Sequence, residues 1–426
     1  MNITAKLLVI VEKLKGQYNF NVMRVLPFLR NLIICLLVKS YFRCVDVTGL
    51  DNIPEDGTFI LVSNHRNGAI DGSIIKLLFP SAIFIVGKNL TDSPYLRILI
   101  GGNIDIYRKP RNDEERQYNR LQVQKACITS VEGNSPLVMF PEGTSKLGPT
   151  LLPLKKGIFY LYRDMLASVC KEKTVFLVPL GLHYEQGWAF RSAVSIKIGK
   201  AKALQTADFA DVNSFMEEIR RMLLNVTVNY DNIKEQRMAE SFASLAAQCC
   251  PRFTHAQFCR LVAMGNIPEI LIKQFINIYD DIPTARIKLH PLVFINHPFS
   301  GIALAVSITP LIAAAFLLNF VPLVAAYFVS RRIADDDNVI TLWRLIIFVP
   351  LIILQWVLYQ AFLYFYFPAS VGVAIFLSYL ATTTAAIYVY SLWKCFLIKI
   401  FNLFFSANAK HLKLAEGIRE WCKTIN

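Results

Sequence analysis

The sequence predicts an α/β domain joined to a membrane region, and three observations carry that prediction. Between about Val45 and Lys202, short strand-like apolar runs alternate with amphipathic helical ones, the pattern of a largely buried sheet flanked by helices. Residues 299–329, 345–367 and 369–393 form runs of 31, 23 and 25 residues without a single Asp, Glu, Lys or Arg, and a helix needs about 20 apolar residues to cross a bilayer core. The whole chain of 426 residues is 54% apolar with a mean hydropathy of +0.41, well above an ordinary soluble protein.

The N-terminus comes first. Leu7, Leu8, Val11 and Leu14 share one helical face, and Val25–Phe42 is a second apolar stretch broken by Arg30 and Lys39. Residues 1–43 hold seven basic residues and one acid, Glu12. This bias predicts helices lying in an anionic interface over 1–44, with ordinary core helices as the alternative. No charged n-region precedes a long apolar core, so a cleavable signal is not expected.

In the α/β domain, 45–204, the expected strands are Thr58–Ser63, Ala82–Val86, Asn103–Tyr107, Pro136–Phe140, Thr174–Pro179 and Ser195–Ile198. Amphipathic Asp113–Val131 and Lys156–Cys170 read as helices between them. Residues 205–298 read as a helical extension. The transmembrane region spans 299–396. Pro310 and Pro322 interrupt 299–329, which suits a re-entrant pair of short helices, whereas Pro368 makes 345–367 and 369–393 a hairpin. Positive flanks, Arg331, Arg332 and Arg344 on one side and Lys394, Lys399, Lys410 and Lys413 on the other, place the ends of that hairpin, the α/β domain and a tail over 397–426 on the cytoplasmic face.

Charge narrows the partners. Lys and Arg number 45 against 31 acids, a net charge of +14, which suits a nucleic acid, an anionic membrane or a phosphorylated substrate. Zinc-finger spacing, RNA-binding motifs and long basic runs are missing, so nucleic acid is the weakest of these. Nine cysteines without CxxC or regular spacing read as free thiols.

Chemistry concentrates at strand ends. Leu61-Val-Ser-Asn-His-Arg-Asn-Gly-Ala-Ile-Asp71 runs from an apolar strand through a turn into a helix-like run. A histidine at the C-terminal end of a strand sits where α/β folds place active sites, and imidazole is the side chain suited to general-base work near neutral pH. Asp71 then has two readings: a carboxylate that fixes the imidazole tautomer, or the N-cap of the next helix. Further strand ends follow in order: Gly102–Arg108 delivers Arg108, Phe140-Pro-Glu-Gly-Thr-Ser145 is a turn with an acid and two hydroxyls, and Val178-Pro-Leu-Gly181 ends another strand. An arginine grips phosphate in a planar, bidentate way; a surface salt bridge and a plain turn are the alternatives.

These four segments resemble the blocks of the glycerophosphate and lysophosphatidate acyltransferase family. The resemblance covers roughly residues 45–200. Five residues separate His65 from Asp71 rather than the commonest four, which is closest to the glycerol-3-phosphate branch; Gly68 eases the extra loop residue. The resemblance implies an acyltransferase-type mixed sheet flanked by helices. It further implies His65 as general base, Asp71 as its orienting partner and Arg108 as the phosphate ligand. Glu142, Gly143 and Thr144 would lie at the substrate, and Pro179 would shape the pocket near the acyl chain. Lys155 and Lys156 would add positive potential, or be solvated helix-end lysines.

The implied reaction moves a fatty acyl group from acyl-CoA or acyl-carrier protein to a hydroxyl of glycerol-3-phosphate or lysophosphatidate, with no metal and no organic cofactor. A lysophospholipid acceptor is the alternative within that class. A lipid transporter would carry charges inside its membrane runs, and those three runs have none. A hydrolase would use the same His–Asp pair on water. No Gly-x-Ser-x-Gly elbow occurs, so no acyl-enzyme is expected. His183 reads as a core or rim histidine and Asn296-His297 as an interfacial cap, and no metal-ligand cluster is visible in the linear sequence.

Overall fold

The computed structural model describes residues 22–88, 92, 103–168, 174–205, 208, 211–250, 252–279, 298–404 and 409–425. The expected helix around Leu7–Leu14, the Asn296-His297 pair and the stretch 280–297 lie outside these.

Helix α1, Val22–Tyr41, leads into an eight-stranded sheet. The strands are β1 (Cys44–Thr48), β2 (Thr58–Ser63), β3 (Ile83–Gly87), β4 (Asn103–Ile106), β5 (Leu137–Met139), β6 (Val175–Tyr184), β7 (Ala193–Ile198) and β8 (Lys202–Ala203). Their order is β1-β7-β6-β2-β5-β3-β4, with β8 beside β6. Strands β6, β2, β5, β3 and β4 run parallel, whereas β7 and β8 run antiparallel to β6. The carboxyl ends of five neighbouring strands therefore share one edge.

Side chains alternate across the sheet. Ile60, Val62, Leu137 and Leu177 pack one face against α3 (Asp113–Glu132), α4 (Gly157–Ser168) and α5 (Val212–Leu224). Leu61, Val138, Val178 and Leu180 pack the other against α1 and α2 (Ala69–Leu78). Both faces are covered, as a mostly parallel sheet requires. The opposite face of α1 stays bare, with Leu32, Ile33 and Leu36 exposed at 44%, 53% and 57%.

A separate core unites α6 (Ile233–Cys249), α7 (His255–Ala263), α8 (Glu269–Tyr279) and the last helix, α13 (Ala409–Thr424), through Phe242, Phe258, Phe275, Leu414 and Ile418. Most of what the sequence reads as a tail is thus a helix built into the extension.

The membrane region contains α9 (Pro298–Leu318), α10 (Phe320–Ile333), α11 (Ile340–Tyr366) and α12 (Ala369–Phe404). Among the described residues two helices, Asp337–Tyr366 and Ala369–Lys394, are long and apolar enough to cross a membrane, and α9 and α10 form a pair bent by 77°. The bend falls at Asn319, not at a proline: Pro310 lies within α9, and Pro322 lies in the first turn of α10, where no helical N–H is lost. The carbonyl of Leu318 at the break accepts hydrogen bonds from Gln355 (2.8 Å) and Tyr359 (3.0 Å). Tyr379 donates to Asn319 Oδ1 (2.6 Å), and Asn319 Nδ2 reaches Thr383 (3.1 Å). A broken helix persists in an apolar medium only when its loosened polar groups find partners of this kind.

Candidate active site

The parallel edge collects the chemical groups. Beyond Ser63 the chain leaves β2, and Asn64 locks to β6: its amide accepts from Leu182 N (2.7 Å) and donates to Leu182 O (3.0 Å). His65 follows. Its backbone N–H donates to Glu142 Oε1 (2.7 Å), and its carbonyl accepts from Lys146 N (2.9 Å). The peptide carrying the imidazole is therefore clamped on both sides by the turn after β5.

The ring is fixed as firmly. It stacks on Phe140, with centroids 4.3 Å apart and planes 17° apart, and its Nδ1 lies 2.8 Å from Asp71 Oδ2. Asp71 is fully buried. The same Oδ2 accepts from the backbone N–H groups of Arg66 (2.7 Å) and Asn67 (2.9 Å), and Oδ1 accepts from the Tyr184 hydroxyl (2.5 Å). Burial, then the Asp71 charge and this bond, push the Tyr184 phenol far above its ordinary range, so it stays a donor. A carboxylate with this many donors is held in one rotamer. With Nδ1 held as the donor, Nε2 is left to take a proton.

Helix α2 begins at Ala69 with Gly68 at its N-cap, so Asp71 lies inside the first turn and the N-cap reading of it does not hold. Its carboxylate instead meets the histidine and accepts from the two backbone N–H groups ahead of the helix. Gly68, at φ 53° and ψ −139°, makes the bend between the loop of His65 and the helix in a region that disfavours other residues.

Glu142 is also buried. Its second oxygen accepts from Leu152 N (2.8 Å). Burial raises its pKa, opposed by these two amides and by the charge of Arg66. Both oxygens are thus bonded to backbone N–H groups, and Glu142 braces the His65 peptide rather than standing open to a substrate. Gly143, at φ +68°, brings the turn under Lys155, whose Cε would lie 2.9 Å from any Cβ there. Thr144 is exposed beside it.

Arg108 is exposed two residues past β4, three strands from β2, or about 14 Å along the edge. Its side chain folds back over Gly87 of β3, where a Cβ would stand 2.6 Å from its Nε. Lys88 and Arg108 thus put positive charge at the β3–β4 end of this edge, and Lys155 adds a third cation over the turn after β5. Pro179 is not brought to this site. It pairs with Val62 in mid-sheet, about 10 Å back along the strands from His65, and its ring packs on Gly199.

The sequence reading missed four supports: Tyr184, Asn64, Asn67 and Asn338. Asn67 Nδ2 donates to Gly187 O (2.7 Å), which also accepts from Thr341 of α11 (2.8 Å), and Asn338 donates to Ser145 O (2.6 Å). The start of α11, which is long and apolar enough to cross a membrane, is therefore tied to the loop after β5 and, through Gly187, to the loop that carries His65.

An acyltransferase family model matches residues 44–183, a span that contains His65, Asp71, Arg108, Glu142 and Pro179. The chain is similar to the 1-acyl-sn-glycerol-3-phosphate acyltransferase of Haemophilus influenzae, at 29% identity over 134 residues, 29% of this chain and 54% of that protein. It spans about half the length of that curated relative. Among solved structures it is similar to the 1-acyl-sn-glycerophosphate acyltransferase of Thermotoga maritima, with a TM-score of 0.33 and 19% identity over 46% of this chain and 78% of that one.

Proposed function

We propose that this protein, whose residues 44–183 match an acyltransferase family model, moves a fatty acyl group from an acyl thioester to a hydroxyl of a glycerophosphate lipid precursor at a membrane. The observation that carries this reading is the His65 Nδ1–Asp71 contact of 2.8 Å on an edge lined with cations. The acceptor hydroxyl gives its proton to His65 Nε2 as its oxygen attacks the thioester carbonyl. Asp71 stabilises the imidazolium that forms. When the C–S bond breaks, the imidazolium returns the proton to the departing thiolate, leaving an ester and a free thiol. Arg108 holds the acceptor phosphate, with Lys155 adding potential. The chain's own residues supply each of these steps.

The similarity to a 1-acyl-sn-glycerol-3-phosphate acyltransferase supports lysophosphatidate as acceptor. Glycerol-3-phosphate is the second reading, favoured by the five residues between His65 and Asp71. The product in either case is a phospholipid precursor.

We read the α9–α10 pair as re-entrant. Thr309 meets Trp393 and Asn319 meets Thr383, so α9 runs antiparallel to α12, whose end leads back to α13 in the helical extension. Asn338, after α10, touches Ser145 of the α/β domain. Both ends of the pair thus return toward the α/β domain, and basic flanks favour the cytoplasm for that side.

An acceptor screen with the purified chain and one radiolabelled acyl thioester tests the proposal. Labelled phosphatidate or lysophosphatidate is the expected product. Free fatty acid released equally without any acceptor would replace the transferase by a hydrolase, and no turnover with any phosphorylated glycerol would remove the reading.

A further inference from the structure

We propose that His183, His255 and Cys259 form a binding site for a divalent transition metal, with Zn²⁺ the ion this donor set suits best. The residues are distant in sequence. His183 sits near the end of β6, and His255 and Cys259 stand one turn apart on α7, which puts them on one helical face. Helix α7 starts at His255 behind a complete capping box of Thr254 and Gln257, so both of its donors come from a rigid element.

The spacing fits an ion. His183 Nε2 lies 3.1 Å from His255 Nδ1, and Cys259 Sγ lies 3.6 Å from that same nitrogen. All three donor atoms fall within 4.8 Å of one another. Tetrahedral zinc, with bonds of about 2.0–2.1 Å to nitrogen and about 2.3 Å to sulfur, requires edges of about 3.4 Å between nitrogens and about 3.6 Å between nitrogen and sulfur.

The surroundings are those of a ligand set. His255 Nε2 lies 3.1 Å from the Glu240 carbonyl oxygen. That contact keeps the proton on Nε2 and aims the Nδ1 lone pair at the cluster, the usual outer-shell arrangement of a metal-bound histidine. A metal takes imidazole as the neutral ring and cysteine as the thiolate, and the ion itself would displace the thiol proton.

A cavity of about 20 Å³ adjoins His183 and is lined by Arg66, Tyr230, Gln236 and Glu240; neither His255 nor Cys259 lines it. That volume accommodates one water.

The consequence is mechanical. Residue 184, next in the chain to His183, donates to Asp71. An ion joining β6 to α7 would therefore pin the strand that supports the catalytic carboxylate to the helical extension. This inference does not depend on the reaction assigned to His65.

The test is metal analysis of the full chain, purified in detergent without chelators. The expected content is about one zinc per chain, falling at least tenfold in Cys259→Ser and in His255→Ala and unchanged in His65→Ala. Co²⁺ added to the chelator-stripped wild type, which requires no folded variant, should give a thiolate-to-cobalt charge-transfer band and the visible absorption of a tetrahedral site. Metal-free wild type with no such band on adding Co²⁺, or equal zinc in wild type and folded variants, would overturn the site and leave a hydrogen-bonded junction of two imidazoles and a thiol.

Discussion

Two histidines stand at the ends of neighbouring parallel strands, His65 after β2 and His183 near the end of β6, and their partners make them different. The imidazole of His65 meets a buried carboxylate through Nδ1, stacks on Phe140 and keeps 13% of its side chain exposed at the edge. The imidazole of His183 meets a second imidazole with a thiol close by, and burial together with the neighbouring His255 disfavours its protonated form. A base that must gain a proton during turnover needs the first environment, whereas an electron-pair donor that must stay neutral needs the second. The strand end supplies the position; the partner selects the chemistry.

Replacing the partner should therefore break the His65 side hardest. Asp71→Asn keeps the shape but sets an amide against four donors and removes the tautomer control, and kcat should fall by about 10²–10⁴, measured with labelled thioester. Unchanged kcat would mean that Asp71 merely braces the loop before α2. Glu142→Gln leaves one of two backbone N–H groups facing an amide N–H; kcat should fall by about 10–100-fold with little change in either KM, because the residue acts through the His65 peptide. A rise confined to the acceptor KM would instead make Glu142 a substrate ligand.

Arg108→Ala should raise the KM for a phosphorylated acceptor by about tenfold and leave that for the thioester nearly unchanged. Equal changes would deny it the phosphate. The smallest effect belongs to Tyr184→Phe. It removes one of four donors to Asp71 and should cost about 1 kcal/mol, or about fivefold in kcat. A larger loss would show that β6 controls the carboxylate more than α2 does.

The first half of this arrangement was readable in the sequence because it is local. His65 and Asp71 lie in one strand–turn–helix segment, and Phe140–Ser145 follows a buried strand, so apolar runs and turn residues mark them. Tyr184 left no such mark. The run Val175–Tyr184 holds Pro179 and Gly181, which read as the end of a strand. In the fold Pro179 faces Gly199 where the chain passes from β7 to β8, so its missing N–H leaves the ladder to β2 and β7 largely intact and β6 continues. Asn338 and the His183 cluster were illegible for a different reason. They join residues 193 and 72 positions apart, and no local period records such pairings. The bend at Asn319 is similar: the sequence displays two prolines, but side chains from α11 and α12 satisfy the break.

The most direct test of the account compares His65→Ala with wild type for transfer of labelled acyl groups into lysophosphatidate and glycerol-3-phosphate, in membranes containing equal amounts of inserted protein. Transfer should fall by about 10³-fold or more in the variant, with zinc content and membrane insertion unchanged. Transfer within tenfold of wild type would contradict the assignment of His65 as the base.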